Sequence, residues 1–178
     1  MRRLAMFAGC SLFAVAAISP ALALDMPQRK AGLWELKTEF QGGHLPARTM
    51  RQCIDAVSDK LMNSNFAAPG QEACSKRDIK NAGGTITVDS VCKFGATTTT
   101  SHAVVSGSFD SAYIVEVTST RDGGRPLPGM APGTATHMKI AATWVGPCEK
   151  GQRPGDMILG NGMTMNILDL QKGIPPRR

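Results

Sequence analysis

The sequence predicts a mainly β fold: one domain built on a twisted, curved antiparallel sheet, meander-connected and up to a half-barrel in shape. One or two short helices and disulfide links complete the expected architecture. Three observations lead there. Residues 33–40 and 135–145 alternate apolar with polar side chains, the period-two signature of a half-buried strand. The segments TTTTSHAVV (97–105) and AYIVEVTST (112–120) are rich in β-branched residues and flank a Ser- and Gly-containing turn. Four cysteines follow residue 23, an even number that suits two disulfides in an exported chain.

The amino terminus reads MRRLAMFAGCSLFAVAAISPALA. Arg2 and Arg3 precede an apolar stretch from Leu4 to Ile18, Pro20 breaks it, and Ala21-Leu22-Ala23 fits a small-x-small cleavage rule. Residues 1–23 therefore read as a signal peptide, with the β-domain over 24–148 and a carboxyl-terminal extension over 149–178. Phe7-Ala8-Gly9-Cys10 loosely resembles a lipoprotein box, but only six residues precede it, too few for an apolar region. Taking 23 from 178 residues leaves 155, enough for one core. Losing Arg2 and Arg3 brings the net charge from +6 to +4. After residue 23 no apolar run approaches the length of a membrane span. These features predict a periplasmic, monomeric protein.

Residues 24–31 read as a mostly polar lead-in. The first strand carries Trp34, Leu36 and Phe40 on one side and Glu35, Lys37 and Glu39 on the other. Gln41-Gly42-Gly43 turns the chain into a second strand over 47–53. Asp55 can cap a short helix to about Met62, with Val57 and Leu61 on its inner face. A loop covers 63–72. Two strands, 73–80 and 85–94, then flank Asn81-Ala82-Gly83-Gly84. A hairpin centred on Gly83 sets Cys74 opposite Cys92 and Arg77 opposite Asp89, a favourable cross-strand pair. Of three possible connectivities that register supports Cys74–Cys92, leaving Cys53 with Cys148; zinc is the competing use, but no C-x-x-C pair exists.

Strands at 97–105 and 112–120 follow, then RDGGRPLPGMAPGT (121–134), too rich in glycine and proline for anything but a loop. The seventh strand, 135–145, puts Met138, Ile140, Ala142 and Trp144 on one face. Residues 149–162 read as loop and 163–172 as a short helix closed by Gly173 and Pro175.

Ala31-Gly32-Leu33-Trp34-Glu35 near the start, Gln52-Cys53-Ile54, the cysteine-bounded hairpin and Trp144-Val145-Gly146-Pro147-Cys148 together resemble the exported bacterial family named domain of unknown function 3617. The likeness covers about 31–148; Gly155-Asp156-Met157 with Asn161-Gly162 looks like a continuation seen in some members. The resemblance implies a secreted, disulfide-linked β-domain and carries over no catalytic residue.

Chemistry leaves little trace. His44, His102 and His137 stand in separate segments. Thioether and imidazole ligands suit copper, so His137, Met138, Met163 and Met165 are the metal candidates, against the plainer reading of Met138 as core. No nucleophile elbow, phosphate loop or paired carboxylates stand out. Basic residues do not cluster with aromatics, which argues against nucleic acid despite a pI near 9.3. Trp34 and Trp144 can pack together as core or line a cavity on the concave side of the sheet, core packing being the preferred reading. The function expected is that of a non-enzymatic envelope protein with no cofactor, binding a small apolar ligand; a copper protein and an unrecognised hydrolase are the alternatives.

Overall fold

A computed structural model describes residues 26–41, 46–67, 74–124, 131 and 133–173. The signal-peptide reading over 1–23 and His44 lie outside them. Nine strands form one antiparallel sheet: β1 (Gly32–Gln41), β2 (Arg48–Ile54), β3 (Cys74–Ala82), β4 (Thr85–Phe94), β5 (Thr97–Ser108), β6 (Ala112–Asp122), β7 (Thr136–Gly146), β8 (Asp156–Leu159) and β9 (Thr164–Asn166). Two helices, α1 (Ala56–Ala67) and α2 (Ile167–Gln171), accompany them.

The spatial order is β3-β4-β5-β6-β7-β1-β2-β8-β9. Strands β3 to β7 form a simple meander, but the meander expected throughout breaks between β2 and β3, which lie on opposite wings of the sheet. The first hairpin instead docks on the far side of β7. Burial explains the choice. β1 carries Leu33, Trp34 and Leu36, all buried, and takes a central place. β3 carries exposed Lys76, Asp78 and Lys80 and takes an edge, where charge discourages further pairing.

β1 meets β7 with Trp34 opposite Trp144, and the register shifts between Leu33 and Trp34. Gly32 makes that kink possible. Its φ is +131°, and a Cβ there would run into the Gly146 carbonyl oxygen and lie 2.6 Å from Trp144 Nε1.

The β3–β4 hairpin corrects the expected register. Gly83 and Gly84 both have positive φ, and Ala82 faces Thr85 across a two-residue turn. Arg77 therefore faces Ser90, and Asp78 faces Asp89, rather than Arg77 facing Asp89. A bulge between Cys74 and Lys76 then moves the register by one, so Cys74 still lies opposite Cys92 and is bonded to it. Cys53 bonds Cys148, tying the end of β2 to the segment after β7 across the intervening β1.

Three further readings change. Residues 156–159 and 164–166, expected as loop and helix, extend the sheet as β8 and β9; strands of four and three residues are too short to show alternation. The terminal helix shrinks to Ile167–Gln171, capped by Asn166 Oδ1, which accepts from the N–H groups of Leu168 and Asp169. In α1 the inner face is Ser58, Asp59 and Met62, whereas Val57 is 66% exposed.

Replacing Cys53 and Cys148 together by alanine should lower stability by about 2–5 kcal/mol. That pair spans 95 residues against 18 for Cys74–Cys92, so removing the second pair should cost less. Urea denaturation of the two double variants checks both the size and the order.

Candidate functional site

Because paired residues in an antiparallel sheet share a face, the inward side chains form rows across the strands. One row runs Phe40 (β1), Met138 (β7), Val117 (β6), Ala103 (β5) and Val88 (β4). The next runs Thr38, Ile140, Val115, Val105 and Ile86. A third contains Leu36, Ala142 and Tyr113, with Met50 on β2 opposite Leu36.

These rows do not close on a second layer. They wall a partly open cavity of about 1240 Å³, reached from one wing by Val88 and Arg77 and from the other by Met50 and Leu159. Contributions from both wings mean that the sheet curves into a trough. Met138, Ile140, Val115, Val117 and Val88 are only half-buried, although each sits in the apolar wall of an interior strand. The volume exceeds the roughly 300–1,000 Å³ of ordinary small-molecule pockets.

The floor of the trough is polar and closed. Arg29, in the lead-in before β1, donates from Nε to Asp59 Oδ1 at 2.6 Å and from its backbone N–H to Asp59 Oδ2 at 2.9 Å. Its Nη1 donates to Gln52 Oε1 at 2.8 Å and reaches the Tyr113 hydroxyl at 3.4 Å. The two charged side chains are 4% and 1% exposed. Asn63 Nδ2 adds a donor to Asp59 at 3.3 Å. Phe109 stacks on Tyr113 with ring centroids 4.9 Å apart, and burial pushes the Tyr113 phenol above its usual pKa while Arg29 opposes the rise. Lys30 N–H donates to the Phe109 carbonyl at 2.8 Å, so the lead-in is strapped across this end of the sheet.

α1 is aimed by a reciprocal cap. Ser58 N–H donates to Asp55 Oδ1 at 2.8 Å, and Asp55 N–H donates to Ser58 Oγ at 2.9 Å. The Ser58 hydroxyl and backbone N–H together hold the Asp55 carboxyl below its ordinary pKa. The cap turns Asp59, one turn further on, towards Arg29.

The two tryptophans lie outside the lining of this cavity. Trp34 is fully buried in the core, tilted against Tyr113 at 5.5 Å, with Nε1 donating to the Lys30 carbonyl at 2.8 Å. Trp144 packs against the same core with Nε1 donating to Ala31 O at 3.1 Å, and Lys30 Nζ stands 3.7 Å from its ring centroid. Their flat faces are taken up by packing and by the lead-in, so they brace the cavity's end and do not wall it.

The four metal candidates do not share one face of the sheet. Met138 faces the cavity, while its neighbour His137 points to the other face, exposed, with Nδ1 3.0 Å from Thr118 Oγ1. Met165 pairs with Met157 in the β8–β9 hairpin and Met163 precedes it, four strand spacings or about 19 Å along the sheet from β7. Among the described residues no three His, Cys, Asp or Glu side chains are grouped to hold a metal. His102 Nδ1 lies 2.7 Å from Asp89 Oδ1 on the outer face of the sheet.

Arg29, Gln52, Asp59 and Tyr113 escaped the sequence reading. Arg29 sits in a stretch without periodicity, and the sequence reading assigns the inner face of the helix to Val57 and Leu61, which leaves Asp59 off it. The one available signal was the Asp55–Asp59 spacing of four, which places both carboxylates on one side of α1.

The order of the cysteines, the opening Gly32-Leu33-Trp34-Glu35 and the closing Gly146-Pro147-Cys148 all fall within residues 29–148, the span matched by the family described as Protein of unknown function (DUF3617). The chain belongs to that family. Its matched span opens at Arg29 and closes at Cys148, taking in both disulfides and the whole Arg29–Asp59 cluster. Comparison with curated proteins and with solved structures found no match.

Two outcomes test this site. Arg29→Met or Asp59→Leu alone should cost about 3–5 kcal/mol, because each strands the other charge in the interior, while the double variant should recover much of the loss. Urea denaturation of the four proteins measures the coupling. Asp55→Ala should cost about 1 kcal/mol at neutral pH. Because the native carboxyl titrates below its unfolded value of about 3.9, this difference should be full above that pH and shrink as pH falls through the native pKa.

Proposed function

We propose that this member of the DUF3617 family is an exported, non-enzymatic binding protein that holds a small apolar ligand in the trough of its sheet. The observation that carries the reading is the cavity of about 1240 Å³, walled by alternate residues of β1 and β4–β7. Apolar side chains on interior strands are left half-exposed there, and an apolar occupant would remove that surface from water at about 25 cal/mol per Å². The closed floor keeps such a ligand from passing through, so entry is from the open side. Export is supported by the amino-terminal pattern and by two disulfides, which persist in oxidising compartments. No described helix is long and apolar enough to cross a membrane. The periplasm is the compartment that fits these features, and a monomer is the expected state, since the cavity is formed within one chain.

The neutral fluorescent probe N-phenyl-1-naphthylamine should bind the oxidised protein saturably, with enhanced emission. Ala103→Trp, which fills the middle of the β5 wall, should weaken that binding at least tenfold while the protein still unfolds cooperatively. Absence of saturable binding to the unsubstituted protein would overturn the proposal.

A further inference from the structure

We propose that the ligand is an acidic lipid, its anionic head held by Arg77 with Ser90 and Ser101 and its apolar chain running down the trough; this rests on the apolar-ligand reading above. The charge of the lining points that way. Among the described lining residues the charged ones are Arg29, Arg48 and Arg77, and none is an aspartate or glutamate. Arg29 is already neutralised by Asp59 at the floor. Arg48 is exposed on β2 at the opposite wing. Arg77 is different. It is half-buried on β3, and its Nε is shielded from solvent with no hydrogen-bond partner among the described residues.

The carboxylates nearest in sequence cannot serve it. Asp78 and Asp89 face each other on the outer side of the sheet, where Asp78 takes Lys76 at 3.4 Å and Asp89 takes His102 at 2.7 Å. On the inner side Arg77 lies opposite Ser90, which lies opposite Ser101, and all three line the cavity. A guanidinium beside two hydroxyls is a donor set for an oxyanion: its planar fork fits carboxylate or phosphate, and an apolar wall strengthens the attraction.

The geometry also orients the molecule. From the Ser101 row to the Gly107–Tyr113 row is six residues along β5, about 20 Å. That is the length of a long alkyl chain, with the hydroxyl shelf at one end and the closed floor at the other. A head bound at Arg77 lies near the edge strand and within reach of water, while the tail meets Ala103, Val105 and Val115.

The test uses oleic acid, oleyl phosphate and oleyl alcohol, each competing with N-phenyl-1-naphthylamine on the oxidised protein at pH 8 and below micelle formation. At least one anionic lipid should displace the probe at a tenfold lower concentration than the alcohol, and the larger preference of the two names the head. Arg77→Gln should abolish the preference, and Arg77→Lys should retain part of it. Equal displacement by all three lipids, or a preference that survives Arg77→Gln, overturns the headgroup assignment and leaves the cavity reading intact. Failure of the probe and of every lipid to bind overturns both. The comparison among lipids on the unsubstituted protein stands even if a variant misfolds.

Discussion

A single buried ion pair marks where the packed core of this sheet ends and its open trough begins. Taking Arg29 and Asp59 out of water costs several kcal/mol per ion before their attraction and hydrogen bonds offset it. Nothing in the trough requires that charge for packing; a methionine and a leucine would fill similar space. What the pair supplies is direction. Asp59 accepts from both the side chain and the backbone of Arg29, and Gln52 takes a further guanidinium N–H. Arg29 therefore joins the lead-in to α1 through Asp59 and to β2 through Gln52. Tyr113 and Phe109 stack beside it and line the lower end of the trough.

An open sheet must also manage its two edges. At β3 the outward Lys76, Asp78 and Lys80 and the Cys74–Cys92 bond oppose slippage and foreign pairing. At the other side β8 and β9 are short; Met157 packs against the core and Leu159 lines the cavity, and polar contacts hold the strand ends. Asp156 accepts from Arg153 N–H at 2.9 Å and from Asn166 Nδ2 at 2.8 Å, while Gly155 N–H donates to the Cys53 carbonyl. The second hairpin is thus moored at the same half-turn of chain that carries the Cys53–Cys148 bond. The two edges use different means because β3 is long and exposed, whereas β9 has only three residues to protect.

The sheet itself was readable because residues 33–40 and 135–145 alternate apolar with polar side chains and 97–105 and 112–120 are rich in β-branched residues. The cysteine pairing was also readable, yet for a reason that the sequence conceals. Centring the turn on Gly83 displaces the register by one residue along β3, and the bulge beyond Lys76 displaces it back before Cys74. Arg77 pays the difference, since the same shift takes it from Asp89 to Ser90. Val57 failed as an inner residue because α1 rests on the sheet by Ser58, Asp59 and Met62, so its apolar periodicity does not mark its buried side. The candidate site was half legible. Its apolar wall follows from alternation in β1 and β7, but curvature has no local sequence signal, and Arg29 lies in a segment without period.

The balance between stability and use follows from how few side chains are fully enclosed. Among the described residues the buried hydrophobic set is Leu33, Trp34, Leu36, Cys53, Ile54, Met62, Ile86, Val105 and Ala142, gathered mainly where β1, β2 and α1 meet. A domain of this length that filled its trough would have a larger core and less need of cross-links. Leaving Val88, Val115, Val117, Met138 and Ile140 half-covered gives up apolar burial in the middle of the sheet. The covalent links compensate through the unfolded chain, the longer one spanning 95 residues and contributing on the order of 4–5 kcal/mol in the chain-entropy account. A disulfide stabilises without occupying the cavity, whereas a side chain large enough to do the same from the concave wall would close it. Both bonds lie towards strand ends: Cys92 stands at one end of the cavity lining, and the central rows of β5, β6 and β7 are crossed by neither bond.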